Sequence, residues 1–251
     1  NELDLYKHFD EECKNYEEVL SKIERVRNGE PFQYVLGYAN FLDNIFEVNN
    51  RVLIPRQETE ELVVNVKRTI EMAYGVNPYI AIADIGTGSG VIGITLNKYF
   101  PNSEVYLSDI DDDAIDTAAN NAGNLGASVL ILKGNMLDPF ISKGIKLDVI
   151  VSNPPYIDGP KTIDEQVWKY EPHKALLASP DTKFYEEIIS KADQAMNPRG
   201  LLAFEIGEEM EESLTELVKK YMPSSNFYFA KDLYNKLRFL YIVNQGDKKD
   251  D

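Results

Sequence analysis

The strongest constraint on the fold is a regular alternation of short apolar runs with helical patterns, which begins at residue 79. Each apolar run has the length of one buried strand, and the stretches between them show the three- and four-residue apolar spacing of helices. This alternation is typical of a parallel sheet that helices cover on both faces. Strands are predicted at residues 79–85, 104–108, 129–133, 147–152 and 200–205, and helices near residues 90–99, 112–124, 183–196 and 208–221.

The last two apolar runs, 226–230 and 237–243, are separated by a turn and not by a helix. Two strands joined by a turn pair in antiparallel fashion, whereas a helical connection permits a parallel pair. We therefore predict an α/β fold with a seven-stranded sheet in which these two runs form an antiparallel edge, with an antiparallel last strand, on an otherwise parallel sheet.

The chain before this alternation has a different character. Residues 3–28 are polar with apolar positions three or four apart, which predicts one or two amphipathic helices. Residues 41–48 read as two short strands around an Asp-Asn turn, and Thr59 is predicted to cap a helix that ends near Gly75. The expected organisation is a helical segment at 1–29, a β-hairpin linker at 30–54, the main domain at 55–244 and a disordered charged tail at 245–251.

Composition disfavours several function classes. A formal net charge of −16 repels phosphate backbones, so nucleic acid is disfavoured as the main partner. No stretch approaches the roughly 18 apolar residues that span a bilayer. A single cysteine, Cys13, and two separated histidines, His8 and His173, make a Cys/His zinc site implausible. We expect a cytoplasmic protein with neither a membrane segment nor a metal.

A glycine-rich loop follows the first strand of the main domain and opens its first helix. Glycines let the backbone approach a ligand closely, which predicts a nucleotide-type pocket at the carboxyl end of that strand. A nicotinamide site is an alternative, because residues 88–93 match G-x-G-x-x-G. Its register is wrong, since the third position counted from the first glycine falls on Val91. The loop reads Asp84-Ile85-Gly86-Thr87-Gly88-Ser89-Gly90.

Two further loops open at the same edge of the predicted sheet. Asp109 closes the second strand, where its carboxylate is predicted to accept both ribose hydroxyls of a bound nucleoside. Asn135 and Met136 follow the third strand and are predicted to give a polar contact and an apolar wall to the adenine ring; an ordinary loop is the alternative.

A proline-containing box follows the fourth strand and points to the chemistry. Two prolines fix the backbone and remove two N–H donors, which leaves carbonyls free to accept hydrogen bonds. The asparagine oxygen and a proline carbonyl would each accept one hydrogen of a planar NH2 group, while the tyrosine stacks on its plane. Such a grip would align the weakly nucleophilic nitrogen with the sulfonium methyl of S-adenosylmethionine. The box reads Asn153-Pro154-Pro155-Tyr156.

Other polar residues are weaker candidates. Arg56 and Glu60 are predicted at the rim of the site, with a capped helix start carrying solvated charges as the alternative. His173 has no partner visible in the sequence, and we assign it a structural role.

Together these stretches resemble the peptide-chain release factor glutamine methyltransferases of the HemK/PrmC type. The resemblance runs from about residue 29 to the end, and residues 52–60, which precede the glycine loop, are its most family-specific part. Three places depart from the family's usual residues: Gln57, the segment 178–182, and Met210. The helical segment at 1–29 is shorter than is usual in the family, so we expect it to be truncated.

The resemblance implies a Rossmann-like class I methyltransferase domain. It also implies methylation of the side-chain amide nitrogen, N5, of the glutamine in the Gly-Gly-Gln loop of release factors, with S-adenosylmethionine becoming S-adenosylhomocysteine. By the same resemblance, residues 153–156 grip the amide, and Gly86 to Gly90, Asp109, Met136 and Asn153 contact the cofactor.

Two other functions stay open from the residues alone. One is an adenine or guanine exocyclic-amine methyltransferase acting on DNA or RNA, which uses the same grip but ordinarily needs a basic binding surface. The other is a cofactor-binding module that regulates a partner without catalysis, which the intact box at residues 153–156 argues against.

Overall fold

The computed structural model describes residues 15–160 and 163–244, so the predictions for residues 1–14 and for the tail at 245–251 lie outside the described residues. Within these ranges the elements run in the order α1 (Tyr16–Arg27), α2 (Phe32–Leu36), β1 (Tyr38–Phe41), β2 (Asn44–Glu47), α3 (Gln57–Tyr74), β3 (Ala81–Ile85), α4 (Val91–Tyr99), β4 (Glu104–Asp109), α5 (Asp112–Leu125), β5 (Val129–Lys133), α6 (Asp138–Lys143), β6 (Leu147–Ser152), α7 (Glu165–Tyr170), a 3-10 turn (His173–Ala175), α8 (Lys183–Ile189), α9 (Ala192–Ala195), β7 (Met196–Glu205), α10 (Glu211–Tyr221), β8 (Asn226–Lys231) and β9 (Leu237–Val243).

The main sheet has seven strands in the order β5-β4-β3-β6-β7-β9-β8, which confirms the predicted α/β fold. Strands β3 to β7 pair in parallel, and β9 pairs antiparallel with both β7 and β8. The predicted antiparallel edge is therefore confirmed, and the last strand, β9, is antiparallel to both of its neighbours. It lies between β7 and β8, because β8 takes the outer position after α10.

Helices cover both faces of this sheet, and alternate strand residues point into the two resulting cores. Ile82 and Val149 face the side covered by α3, α4 and α5, whereas Ala83 and Ile150 face the side covered by α6, α8 and α10. The central strands are buried on both faces, which is why they read as unbroken apolar runs in the sequence. Their carboxyl ends meet at one edge of the sheet.

The N-terminal part contains the predicted hairpin together with features that the sequence did not predict. Strands β1 and β2 pair through a turn at Leu42 and Asp43, one residue earlier than the predicted Asp-Asn turn. Helix α2 inside the proposed linker was missed. Helix α1 has no buried residue, so its apolar face stays exposed within the described chain.

Asn121 of α5 fastens the hairpin to the main domain. Its side-chain amide accepts from the Glu47 backbone N–H at 2.7 Å and donates to the Glu47 carbonyl at 3.0 Å. The same amide nitrogen donates to the carbonyl of Ser89 in the glycine loop at 2.8 Å. One buried side chain thus joins three segments.

None of the helices in residues 15–160 and 163–244 combines the length and the apolar character needed to cross a membrane.

Candidate active site

A cavity of about 550 Å³ lies at the carboxyl ends of β3, β4, β5 and β6. This volume is within the range of about 300–1,000 Å³ that is usual for small-molecule sites. Its wall combines the glycine loop, the ends of three neighbouring strands and the chain that leads into α3. Of the predicted site residues, those that line it are Arg56, Gly86, Thr87, Gly88, Ser89, Asp109, Asn135, Met136, Asn153 and Pro155.

Asp84 lies behind the glycine loop and holds its shape. Its Oδ2 accepts from the Thr87 hydroxyl at 2.6 Å and from the Gly93 backbone N–H at 2.9 Å. Burial raises the pKa of Asp84 to about 6, and the hydrogen bonds from Thr87 and Gly93 limit that rise. Gly86 and Gly88 adopt positive φ angles of 69° and 54°. A Cβ added at either position would meet no atom within 4 Å. Glycine is therefore favoured at both positions by the backbone conformation and not by a lack of space.

Asp109 ends β4 with part of its carboxylate still available. Oδ2 accepts from the Gly88 backbone N–H and Oδ1 from that of Asp111, both at 3.0 Å. An ionised carboxylate has about four acceptor positions, so part of its acceptor capacity remains for a ligand. Burial raises the pKa of Asp109, while the Gly88 and Ile110 N–H groups and the Lys174 ammonium oppose the rise. Lys174, which the sequence analysis missed, lines the cavity and pairs with Asp111.

The loop after β5 supplies the opposite wall. Asn135 donates from Nδ2 to Glu187 at 2.9 Å, which ties this loop to α8. Met136 has a positive φ of 44°, an uncommon conformation for a side chain of this type, and lines the cavity beside it.

The residues of the proline box are divided between the cavity and the core. Asn153 and Pro155 line the cavity, whereas Pro154 is buried behind them. Tyr156 packs on the core under the sheet edge near Gly207, and burial raises its pKa to about 12. Ser152, just before the box, donates its hydroxyl to the Ile85 carbonyl at 2.7 Å and so joins the ends of the two central strands.

Asn153 is the outer member of a chain of three side chains that the sequence did not predict. Its Nδ2 donates to the Thr59 hydroxyl at 3.0 Å, and that hydroxyl donates to Oε2 of Glu205 at 2.6 Å. Burial raises the pKa of Glu205 to about 7, and the Thr59 and Asn153 side chains oppose that rise. The predicted capping role of Thr59 was wrong, because α3 already begins at Gln57 and the Thr59 hydroxyl is bound to a strand end.

Arg56 and Glu60 have different surroundings. Arg56 lines the cavity and forms an ion pair with Glu171 at 2.6 Å, where the carboxylate side chain is only 2% exposed. Glu60 accepts from the Leu42 backbone N–H at 2.7 Å, which ties α3 to the hairpin, and it does not line the cavity. The sequence gave no sign that Glu171, 115 residues further along the chain, is the partner of Arg56.

His173 stands on the outside of this region. Its Nε2 lies 2.7 Å from the Trp168 carbonyl, and the two rings stack at 3.6 Å. These contacts match a structural role. Met210, one of the departures from the family pattern, is buried, and its sulfur accepts from the Gly207 backbone N–H at 3.3 Å.

Comparisons with known proteins agree with this architecture. The family model of the methyltransferase small domain matches residues 73–171. A methyltransferase structure from Pyrococcus furiosus matches with a TM-score of 0.56 at 18% identity, covering 92% of this chain and 98% of that one. A 16S rRNA N2 G1207 methyltransferase structure from T. thermophilus, in complex with AdoMet and guanosine, matches with a TM-score of 0.59 at 15% identity, covering 82% of this chain and 49% of that one. These likenesses show the class I methyltransferase fold.

Sequence relatives narrow the assignment. A release factor glutamine methyltransferase from Bacillus cereus is 38% identical over 235 residues, which is 92% of this chain and 82% of that protein. Another from Staphylococcus aureus is 37% identical over 214 residues, 84% of this chain and 75% of that protein. Identity of this level over most of both chains, together with the glycine loop and the proline box at one cavity, shows that the chain is a methyltransferase of the release factor glutamine methyltransferase family.

Proposed function

We propose that the chain transfers a methyl group from S-adenosylmethionine to N5 of the glutamine in the Gly-Gly-Gln loop of a peptide-chain release factor. The observation that carries the proposal is that Asn153 and Pro155 of the proline box share one cavity with the glycine loop and Asp109. A methyl donor held by the loop would therefore lie beside the group that grips the acceptor. Release factors act on ribosomes, so we place the reaction in the cytoplasm.

The residues of the cavity fit S-adenosylmethionine. The glycine loop presents open backbone at Gly86 and Gly88, and Asp109 keeps acceptor capacity for the ribose hydroxyls. Met136 and Ile110 give apolar surfaces for a purine ring, and Asn135 gives a polar contact beside them. When bound, the cofactor would supply an electrophilic methyl group on a positively charged sulfur and leave as S-adenosylhomocysteine, and the methylated amide nitrogen would release one proton to solvent.

The proline box positions the acceptor. In this proposal the Asn153 Oδ1 and the Pro154 carbonyl each accept one N–H bond of the glutamine amide, and Tyr156 packs on the core behind the box. These bonds strengthen as positive charge develops on the nitrogen, so they stabilise the transition state more than the ground state. Catalysis then depends on positioning and electrostatics, which together supply a large part of the barrier lowering in such sites.

The test is to incubate the protein with methyl-labelled S-adenosylmethionine and a release factor, next to the same factor with its Gly-Gly-Gln glutamine changed to alanine and a DNA control. Peptide mass then locates the label. Label on the glutamine alone is the expected result, and Asn153→Ala should lower kcat by roughly 100-fold because the grip is lost. Label on DNA contradicts the proposed substrate, and cofactor binding without any transfer contradicts catalysis.

A further inference from the structure

Three side chains link the interior of the sheet to the wall of the cavity. Glu205 ends β7, Thr59 lies in the first turn of α3, and Asn153 follows β6. Glu205 and Thr59 are each 3% exposed, and Glu205 does not reach the cavity, whereas Thr59 and Asn153 line it. A buried carboxylate destabilises the folded state unless it is hydrogen-bonded, and the Thr59 hydroxyl gives Glu205 such a bond.

When Glu205 is ionised, the hydrogen bonds that link Glu205, Thr59 and Asn153 can run in only one direction. A carboxylate only accepts, so the single proton of the Thr59 hydroxyl points to Glu205. The hydroxyl oxygen must then accept from Asn153, which directs Nδ2 inward and leaves Oδ1 on the other side of the planar amide. We propose that Thr59 and Glu205 are positioning residues that hold the Asn153 amide with its oxygen toward the glutamine amide of the substrate.

This inference rests on the proposed function, because it concerns how the same asparagine meets the acceptor nitrogen. With the amide reversed, Asn153 would present N–H donors to the N–H donors of the glutamine, and the grip would fail. The contact matters most in the transition state, where charge builds on the nitrogen. Loss of orientation should therefore lower kcat more than it raises KM for the release factor.

The arrangement also implies a response to pH. A protonated Glu205 can donate to Thr59, which frees the Thr59 hydroxyl to donate to the Asn153 oxygen and favours the reversed amide. The ionised form is thus the productive one, and transfer should weaken as the pH falls through the pKa of Glu205, which is raised to about 7.

The charged and titratable groups around Glu205 come from three elements and from the loop that follows β6. Glu58 of α3 disfavours its charge, Arg238 of β9 favours it, and Tyr156 is close enough for Glu205 to raise the tyrosine pKa. Tyr185 of α8 donates its hydroxyl to the Glu205 carbonyl at 2.8 Å. Burial outweighs the favourable contacts, so the carboxyl titrates near neutrality.

The first experiment measures kcat and KM for a release factor with Thr59→Val, Thr59→Ser and a control, Thr69→Val. Thr69 lies on the same helix and donates to the Asn65 carbonyl, away from the cavity. We expect Thr59→Val to lower kcat by roughly 10- to 100-fold with KM nearly unchanged, and Thr59→Ser and Thr69→Val to stay within about 3-fold of wild type. Equal kcat for Thr59→Val and Thr69→Val would overturn the proposal.

The second experiment remains informative even where Thr59→Val fails to fold. It records kcat from about pH 5.5 to about pH 8.5 for wild type and Glu205→Gln, with circular dichroism to verify folding. An acid limb in the wild type that Glu205→Gln lacks supports the positioning role, and the same limb in both proteins refutes it. A wild type that transfers no methyl group to glutamine refutes the proposed function instead, which separates the two failures.

Discussion

The Asp109 carboxylate accepts a hydrogen bond from Gly88 in the glycine loop and also lines the cavity. Asp109→Ala should weaken binding of S-adenosylmethionine by at least roughly 10- to 100-fold, because the loss of even one charge-assisted hydrogen bond costs about 1.5–3 kcal/mol. Titration calorimetry measures this directly. The matched control is Asp112→Ala, which removes a 75% exposed carboxylate three residues further on and should leave the affinity unchanged. Equal affinities for both variants would contradict our placement of the ribose.

The Arg56–Glu171 ion pair has one partner almost fully buried. Arg56→Ala leaves the Glu171 carboxylate without its cation, which should lower the free energy of unfolding by about 3–5 kcal/mol. Arg51→Ala breaks the exposed pair with Asp113, whose side chains are 63% and 41% exposed, and should cost less than about 1 kcal/mol. Urea unfolding of both variants tests the difference, and similar losses would contradict the buried character of the first pair.

The role of a residue in the site could be predicted from the sequence in some cases and not in others. Asp109 and Asn153 could be predicted because each directly follows an apolar run, and the carboxyl ends of parallel strands meet. Glu205 could not be assigned, because its partner Thr59 lies 146 residues away and only the folded sheet brings them together. For the same reason Thr59 looked like a helix cap, since capping and tertiary hydrogen bonds use the same hydroxyl.

Helix α4 depends on close approach to β3 and β4. A Cβ at Gly93 would lie 2.1 Å from Leu107 Cδ2 and 3.0 Å from Asp84 Cβ, so Gly93→Ala should destabilise the protein by about 1–3 kcal/mol. Gly123 in α5 has nothing within 4 Å of such a Cβ, and Gly123→Ala should stabilise by about 0.4–1 kcal/mol. Thermal unfolding of both variants should thus show shifts of opposite sign, and shifts of the same sign would contradict this packing.

Helices and strands could be predicted where they were long enough to show the apolar spacing of their type. Strands β5, β6 and β9 match the prediction because each is a short, mainly apolar run of strand length. Helices α2, α6 and α7 have five or six residues, too few to show a helical period, and were missed. The predicted helix at 183–196 is two helices, α8 and α9, separated at Ser190 and Lys191, a break that the apolar spacing does not reveal.

For the whole molecule, Glu205 links stability to pH. Its pKa rises on folding from an ordinary value of 4.5 to about 7, so the folded state binds more protons than the unfolded state between these values. The contribution of Glu205 to stability is complete below the unfolded pKa and is lost as the pH rises through the folded pKa. Stability and the proposed activity therefore change in opposite directions with pH.

This linkage is measurable by comparing urea unfolding of wild type and Glu205→Gln at several pH values. The two free energies of unfolding should be most alike near about pH 4.5, and the variant should become the more stable protein as the pH passes about 7. A constant difference across that range would show that Glu205 titrates at the same pH in both states.

The three hydrogen bonds of Asn121 couple the opening of the hairpin to ligand binding at the glycine loop. Because one amide joins the Ser89 carbonyl to both backbone groups of Glu47, a ligand that steadies the loop also lowers the frequency with which the hairpin opens. Linkage is reciprocal, so any contact that holds the hairpin closed should in turn tighten cofactor binding. Amide hydrogen exchange in β1 and β2 should slow when S-adenosylmethionine is added, and Asn121→Ala should abolish that protection.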